Sequence, residues 1–216
     1  MHALVAEEDL KIGPLGLAGR FELPSRAAGA VVFAHGSGSS RLSPRNRRVA
    51  GVLHDHGLAT LLFDLLTEDE AADRDKVFDI GLLCRRLGDA LDVLRQQPAV
   101  SGMPIGLFGA STGAAAALRL AAERPGQVAA VVSRGGRPDL AAEHLTRVQA
   151  PTMLIVGGRD TDVLGLNQGA MRLLHCHKRL EIVPGATHLF EEPGALEMVA
   201  RLAGDWFATH LQAPRT

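Results

Sequence analysis

A predicted strand, a Gly-x-Ser-x-Gly turn and a predicted helix follow one another in the middle of this 216-residue sequence. Residues 103–108 are short and apolar, which predicts a buried strand, and residues 114–123 are rich in strong helix formers. Gly109 and Gly113 flank Ser111 in the turn between them. Such a turn holds its serine in a strained conformation at the amino end of a helix, where free N–H groups favour negative charge. The pattern favours a nucleophilic serine over a plain small-residue turn.

Short apolar segments alternate with helical patterns along the chain. This alternation predicts an α/β fold with a mostly parallel central sheet and helices on both faces. We expect one domain over residues 1–216, with an edge hairpin and turn in residues 1–29. The segment 133–150 is too short for a cap domain, so an open site is expected. The other expected elements are strands at 30–34, 58–65, 128–132, 151–156 and 180–183, helices at 41–57, 77–94, 163–174 and from 195 onward, and an acidic loop at 67–75.

Composition excludes several classes of protein. The formal net charge is −1, which gives no electrostatic reason to expect a nucleic acid or an anionic membrane as partner. Cys84 and Cys176 are far apart in the sequence and predict no disulfide framework, and Cys84 lies on the apolar stripe of a helix. The N-terminus does not resemble a signal peptide, and no apolar run approaches the ~20 residues of a membrane span. We therefore expect a cytoplasmic protein.

A serine nucleophile needs a base and a group that orients the base. In an open α/β sheet these groups lie on loops at the carboxyl ends of neighbouring strands. His188 follows the last predicted strand, and Asp160 follows the strand ending at residue 156. The chain order Ser, Asp, His is the one expected for this arrangement. Asp162 lies two residues beyond Asp160 and is an alternative acid, although it could instead cap the next helix.

Four short motifs together carry a family resemblance: residues 35–38 (His-Gly-Ser-Gly), 109–113 (Gly-Ala-Ser-Thr-Gly), 157–160 (Gly-Gly-Arg-Asp) and 185–188 (Gly-Ala-Thr-His). The chain resembles the α/β-hydrolases, and more closely the small, capless dienelactone hydrolase-like group. The resemblance implies Ser111 as nucleophile, His188 as general base and acid, and Asp160 as the orienting carboxylate. It favours Asp160 over Asp162 because the family places its acid directly after the Gly-Gly turn. Dienelactone hydrolase itself has a cysteine at the elbow, so its substrate does not carry over.

An oxyanion hole needs two N–H donors. The residue after the nucleophile, Thr112, supplies one, and the loop after the first buried strand supplies the other, for which Ser37 is the candidate. His35 lies on the same loop. In this family such a histidine usually shapes the loop, so we expect a structural role for it.

Arginines near the predicted site suggest a substrate with negative charge, because guanidinium pairs bidentately with carboxylate or phosphate. The candidates for substrate binding are Arg41, Arg134 and Arg137, with Arg159 beside the acid. The alternative is that they pair with Asp139, Glu143 or Asp162 and hold loops. The run 45–48 is interpreted as a solvated helix face.

The expected function is hydrolysis of a small carboxylic ester, lactone or thioester through an acyl-serine. No cofactor is expected. No metal is expected either, because His54 and His56 point to different sides of a helix and the segment 175–177 has no further ligands nearby in the sequence. Amide or peptide cleavage and acyl transfer with the same triad remain open, as does a binding module with an idle site. The presence of serine, aspartate and histidine together argues against an idle site.

Overall fold

An eight-stranded sheet forms the centre of the computed structural model, which describes residues 3–212. The strands are β1 Leu4–Ile12, β2 Leu17–Pro24, β3 Gly29–Ala34, β4 Leu58–Phe63, β5 Ile105–Ala110, β6 Ala130–Arg134, β7 Thr152–Gly157 and β8 Lys178–Val183. Their order is β1-β2-β4-β3-β5-β6-β7-β8. The hairpin β1–β2 is antiparallel and joins β4 antiparallel, and all other neighbours are parallel. The predicted mostly parallel sheet is confirmed.

Helices cover both faces of the sheet, as expected for strands that are apolar on both sides. They are α1 Pro44–Asp55, α2 Glu68–Ala72, α3 Arg74–Phe78, α4 Ile80–Arg95, α5 Thr112–Glu123, α6 Thr161–Leu173 and α7 Ala195–His210, with 3-10 segments at Pro98–Val100 and Pro138–Arg147. One core cluster joins a sheet face to α1 and α7, and the other joins the opposite face to α4, α5 and α6. The middle strands are buried along their whole length, so they fix the site-bearing loops firmly.

Two expectations about residues 67–94 were wrong. The acidic loop contains the short helices α2 and α3, and Thr67 and Glu70 form a capping box at the start of α2. The helix expected from residue 77 breaks at Asp79, whose side chain accepts a hydrogen bond from the Leu82 N–H (2.8 Å) and so begins α4. The apolar stripe continues across the break, and for this reason periodicity alone did not reveal it. Cys84 is buried in the core on α4, and burial beside Glu123 raises the pKa of its thiol to about 12.

The carboxyl ends of the parallel strands meet at one edge of the sheet, where the predicted site residues follow β3, β5, β7 and β8. The sixth strand runs over Ala130–Arg134, two residues later than expected, and this places Arg134 at the same edge. The segment after it forms a 3-10 stretch, Pro138–Arg147, with a kink at Ala141. Among the described helices, none is long and apolar enough to cross a membrane.

Candidate active site

Ser111 occupies the sharp turn between β5 and α5 in a strained backbone conformation. Its φ is 50° and its ψ is −120°, a region that non-glycine residues rarely adopt. The backbone of the following loop holds it there: the Ser111 N–H donates to the Arg134 carbonyl (3.3 Å), and the Ser111 carbonyl accepts from the Arg137 N–H (3.1 Å). The strain is of the kind expected for a nucleophile elbow, because it projects the serine away from the end of the strand.

His188 and Asp160 lie together, each on the loop after its strand. The distance between His188 Nδ1 and Asp160 Oδ2 is 2.7 Å. Only 15% of the Asp160 side chain is exposed, and this burial strengthens its contact with His188. The His188 side chain is 40% exposed and lines the cleft described next. Asp160 is also the N-cap residue of α6, but its side chain makes no capping hydrogen bond to the helix. The carboxylate is therefore committed to the histidine, whereas Asp162 lies exposed in the first turn of α6.

A cleft of about 180 Å³ brings Ser111 and His188 together. We call it the Ser111 cleft; the other residues that line it are Gly36, Ser37, Ser39, Arg45, Ala110, Arg134 and Leu189. Its volume is below the roughly 300 Å³ at which pockets for drug-sized ligands begin.

The two candidate oxyanion donors belong to the two segments that meet at Ser111, helix α5 and the loop after β3. Thr112 is the first residue of α5, and Ser37 is exposed on the loop after β3 and lines the cleft. Gly36, the residue before Ser37, lies so close to Ser111 that a Cβ on it would be 2.9 Å from the Ser111 Cβ. The loop and the elbow are thus in direct contact.

His35 joins the loop after β3 to the end of β4. Its Nε2 accepts a hydrogen bond from the Leu65 N–H (3.0 Å), and its Nδ1 lies 3.0 Å from the Gly36 carbonyl, to which it can donate only if it carries the proton. The bond from Leu65 needs Nε2 without a proton, so the ring is neutral with its proton on Nδ1, and burial lowers the pKa of His35 accordingly. A histidine with both nitrogens engaged in this way shapes the loop and is not placed to act as a base.

Arg134 lies at the end of β6 and lines the Ser111 cleft. The residue is 8% exposed, and its Nη1 is buried with no hydrogen-bond partner within residues 3–212. Burial, with the charge of Arg45 nearby, lowers the pKa of Arg134 to about 10, so the guanidinium is still charged at neutral pH. A charged group in this setting is costly unless an anion joins it.

Arg45, which was expected to belong to a solvated helix face, has a side chain that is 35% exposed and also lines the Ser111 cleft. Arg45 lies in the first turn of α1. The loop between β3 and α1, residues 35–43, carries the candidate donor Ser37, and we call it the oxyanion loop. The position of Arg45 directly after this loop was the sequence signal that could have identified it as a cleft residue. Its Nη1 pairs with Glu191 (3.1 Å), while its Nε is buried without a hydrogen-bond partner in the described chain. Arg45 and Arg134 both line the Ser111 cleft, and the charge of Arg45 is close enough to lower the pKa of Arg134.

The other two arginine candidates have internal partners and lie outside the cleft lining. Arg137 pairs with Asp139 through two hydrogen bonds (2.9 and 2.7 Å), which is the loop-holding role considered as the alternative. Arg41 contacts Asp64 through its backbone N–H (2.8 Å) and its guanidinium (3.1 Å). The expectation that Arg41 and Arg137 bind substrate is therefore not supported by their positions.

The remaining histidines of interest have structural contacts. His54 is buried with its Nε2 2.8 Å from Thr60 Oγ1, and His56 Nδ1 lies 2.9 Å from the Val52 carbonyl. His177 stacks on Trp206 with ring centroids 5.3 Å apart.

The sequence matches the dienelactone hydrolase family over residues 23–210. The chain belongs to this family. A crystal structure of a dienelactone hydrolase from Anabaena variabilis is 53% identical, with a TM-score of 0.91, and the match covers 98% of this chain and 99% of that one. A crystal structure of a predicted CIB-like hydrolase from Thermoplasma acidophilum shares the fold at 18% identity and a TM-score of 0.75, covering 97% of this chain and all of that one.

Two curated proteins from strains of Mycobacterium tuberculosis are 57% identical over 210 residues. The match covers 96% of this chain but only 47% of each relative, so the family member described here spans about half their length. Both are provisionally named phosphoribosyl transferases. Family membership together with the fold supports a hydrolase.

Proposed function

We propose that the protein is a serine hydrolase that cleaves a small carboxylic ester, lactone or thioester through an acyl-serine intermediate. The observation that carries the proposal is the 2.7 Å contact between His188 and Asp160, next to a strained Ser111 in the same cleft. A serine becomes a nucleophile when a histidine accepts its proton and a carboxylate fixes the tautomer of that histidine. These three groups follow three different strands, and core packing gives no reason for all three residue types to stand there.

In the proposed reaction the Ser111 hydroxyl attacks the carbonyl carbon while His188 Nε2 takes its proton. Asp160 keeps the other ring proton on Nδ1 and stabilises the imidazolium. The backbone N–H groups of Thr112 and Ser37 stabilise the negative oxygen of the tetrahedral intermediate, aided by the amino end of α5. The intermediate collapses as His188 returns the proton to the leaving group. Water, deprotonated by His188, then releases the acid from the serine.

Fluorophosphonate labelling tests the proposed nucleophile. The native chain should gain the mass of one probe, on the peptide that contains Ser111, and Ser111→Ala should not label. p-Nitrophenyl acetate turnover, measured in parallel, should disappear in the same variant. A folded native chain that does not label would show that the triad is not active, and the binding-module interpretation would replace the enzyme.

We further propose that the substrate carries an anionic group bound by Arg134 and Arg45. Each guanidinium has a buried nitrogen without a hydrogen-bond partner in residues 3–212, and both line the cleft of the nucleophile. Guanidinium groups pair well with a carboxylate or a phosphate, which carry the opposite charge and several acceptor oxygens. Binding would supply the counter-charge that the buried Arg134 otherwise lacks.

A matched pair of esters tests this charge preference. The monoester of succinic acid with p-nitrophenol carries a carboxylate, and p-nitrophenyl butyrate is a neutral ester of the same length. Arg134→Gln should lower kcat/KM for the anionic ester relative to the neutral one by about 10- to 100-fold, as expected for loss of hydrogen bonds to a charged group. Arg48→Gln removes an exposed arginine of α1 and serves as control. An unchanged preference in Arg134→Gln would contradict the proposal.

A panel of substrates separates the alternatives to ester hydrolysis. The same triad could cleave amides or transfer an acyl group, and ester, thioester and anilide analogues with one acyl group would rank these reactions.

We do not propose phosphoribosyl transfer for this chain, because the provisionally named relatives are about twice its length and the Ser111 site supports acyl chemistry. We also propose a reducing compartment such as the cytoplasm, in keeping with the free thiols of Cys84 and Cys176.

A further inference from the structure

Asn167 lies at a position of α6 where an apolar side chain would be expected. The buried residues of this helix are Val163, Asn167 and Ala170, which form a stripe at helical spacing facing the core. Asn167 is fully buried. An asparagine is a poor helix former, and a buried amide destabilises a core unless it is hydrogen-bonded. Polar residues that break a local pattern in this way often serve a functional site.

The amide of Asn167 is fixed between its own helix and the loop behind the nucleophile. Its Nδ2 donates to the Gly136 carbonyl at 3.0 Å and to the Val163 carbonyl at 2.8 Å. The second bond anchors the amide to the preceding turn of α6. The first bond reaches a loop that is remote from α6 in the sequence, so the asparagine ties the two together.

That loop, residues 134–137, holds the backbone of Ser111. The Arg134 carbonyl accepts a hydrogen bond from the Ser111 N–H (3.3 Å), and the Arg137 N–H donates one to the Ser111 carbonyl (3.1 Å). The Gly136 carbonyl lies between these two contacts in the sequence. A displacement of the loop at Gly136 would therefore be transmitted to both sides of the strained serine.

The same loop also lies against His188. A Cβ added to Gly135 would be 3.4 Å from the ring atoms Nδ1 and Cε1 of His188. The helix that carries Asn167 begins directly after Asp160, the partner of that ring. One hydrogen bond thus connects the helix of the acid to a loop that touches both the nucleophile and the base.

We propose that Asn167 is a positioning residue that holds the 134–137 loop against Ser111 and His188. This inference rests on the proposed hydrolase function. Asn167 itself acts through the loop: it fixes the Gly136 carbonyl, which keeps the nucleophile at the distance and angle that the histidine requires. A misplacement of about 1 Å far from the chemistry can lower the rate roughly 100-fold.

The test compares Asn167→Leu and Asn167→Ala with the native chain. Leucine has the same branching and the same number of side-chain heavy atoms but a larger volume, so Asn167→Leu should fold but melt below the native chain, because it crowds the core and leaves the Gly136 carbonyl without its donor; alanine removes the amide without adding bulk. We expect kcat for p-nitrophenyl acetate and the rate of fluorophosphonate labelling to fall about 10- to 100-fold in both, with KM little changed. Gln168→Leu removes an exposed amide from the next residue and should behave as the native chain does.

Amide hydrogen exchange gives a readout that does not depend on activity. Loss of the anchor should speed exchange at the Ser111 and Arg137 N–H groups in Asn167→Leu. A folded Asn167→Leu or Asn167→Ala chain with native kcat, native labelling rate and native exchange would overturn the inference. Failure of the native chain to label would instead refute the proposed function, and the exchange data would still decide whether Asn167 anchors the loop.

Discussion

Asp160→Asn is expected to lower kcat for p-nitrophenyl acetate by about 10⁴-fold, the loss typical of an amide in place of a triad carboxylate. The carboxylate accepts from His188 Nδ1 at 2.7 Å and so leaves Nε2 free to take the serine proton. An amide can turn its N–H towards Nδ1, which places the ring proton on Nε2 and blocks that transfer. It also removes the negative charge that stabilises the imidazolium.

The fold should tolerate this substitution. The Asp160 side chain makes no hydrogen bond to the α6 backbone, so the helix loses no cap, and the side chain is near the surface. Circular dichroism melting of Asp160→Asn should accordingly give a transition close to that of the native chain. A large loss of activity without loss of folding identifies a chemical role.

Asp162→Asn is the matched control, because it makes the same change two residues further on. Asp162 is exposed in the first turn of α6, where a negative charge contributes about 0.3–1 kcal/mol through the helix dipole. We expect a slightly less stable protein with native kcat. If Asp162→Asn lost activity and Asp160→Asn kept it, the assignment of the acid would have to be exchanged.

The fold could be predicted from the sequence because its strands are short, apolar and buried on both faces. This pattern is local, and so was the strand–turn–helix context of Ser111. The break at Asp79 was not predictable from periodicity, because Val77 and Ile80 lie on the same apolar stripe on either side of it. The only sequence signal for the boundary was the preference of aspartate for the first position of a helix. Asp73 and Asp75 give the same signal nearby, so it did not single out Asp79.

The polar residues of the cleft could be predicted only in part. Ser111, Asp160 and His188 each follow a strand, so sheet topology alone brings their loops to one edge. The arginines depend on side-chain direction and on partners distant in the sequence. Arg41 pairs with Asp64 across β4, and Arg45 turns into the cleft from the first turn of α1. Neither contact is visible in the spacing of the sequence.

Gly113→Ala is expected to destabilise the protein more than any other single methyl addition discussed here. Gly113 lies in the first turn of α5, against the end of β3. A Cβ at this position would lie 2.2 Å from the Ala34 carbonyl oxygen and 2.5 Å from that of His35, both backbone atoms that cannot rotate away. Either α5 or the end of β3 must move, and the oxyanion loop begins at that end.

The expected loss is about 3–5 kcal/mol, at or above the upper end for overpacked cores. In a chain of this length such a loss lowers the melting temperature by roughly 6–20 °C. Gly165→Ala makes the same change on the open side of α6, where nothing lies within 4 Å of the added methyl. Because alanine is the better helix former, that variant should be as stable as the native chain or slightly more stable. Calorimetric melting of the two variants side by side measures the difference. Equal melting temperatures would mean that α5 does not pack against β3 as closely as described, and the oxyanion loop would then lose the support that this contact gives it.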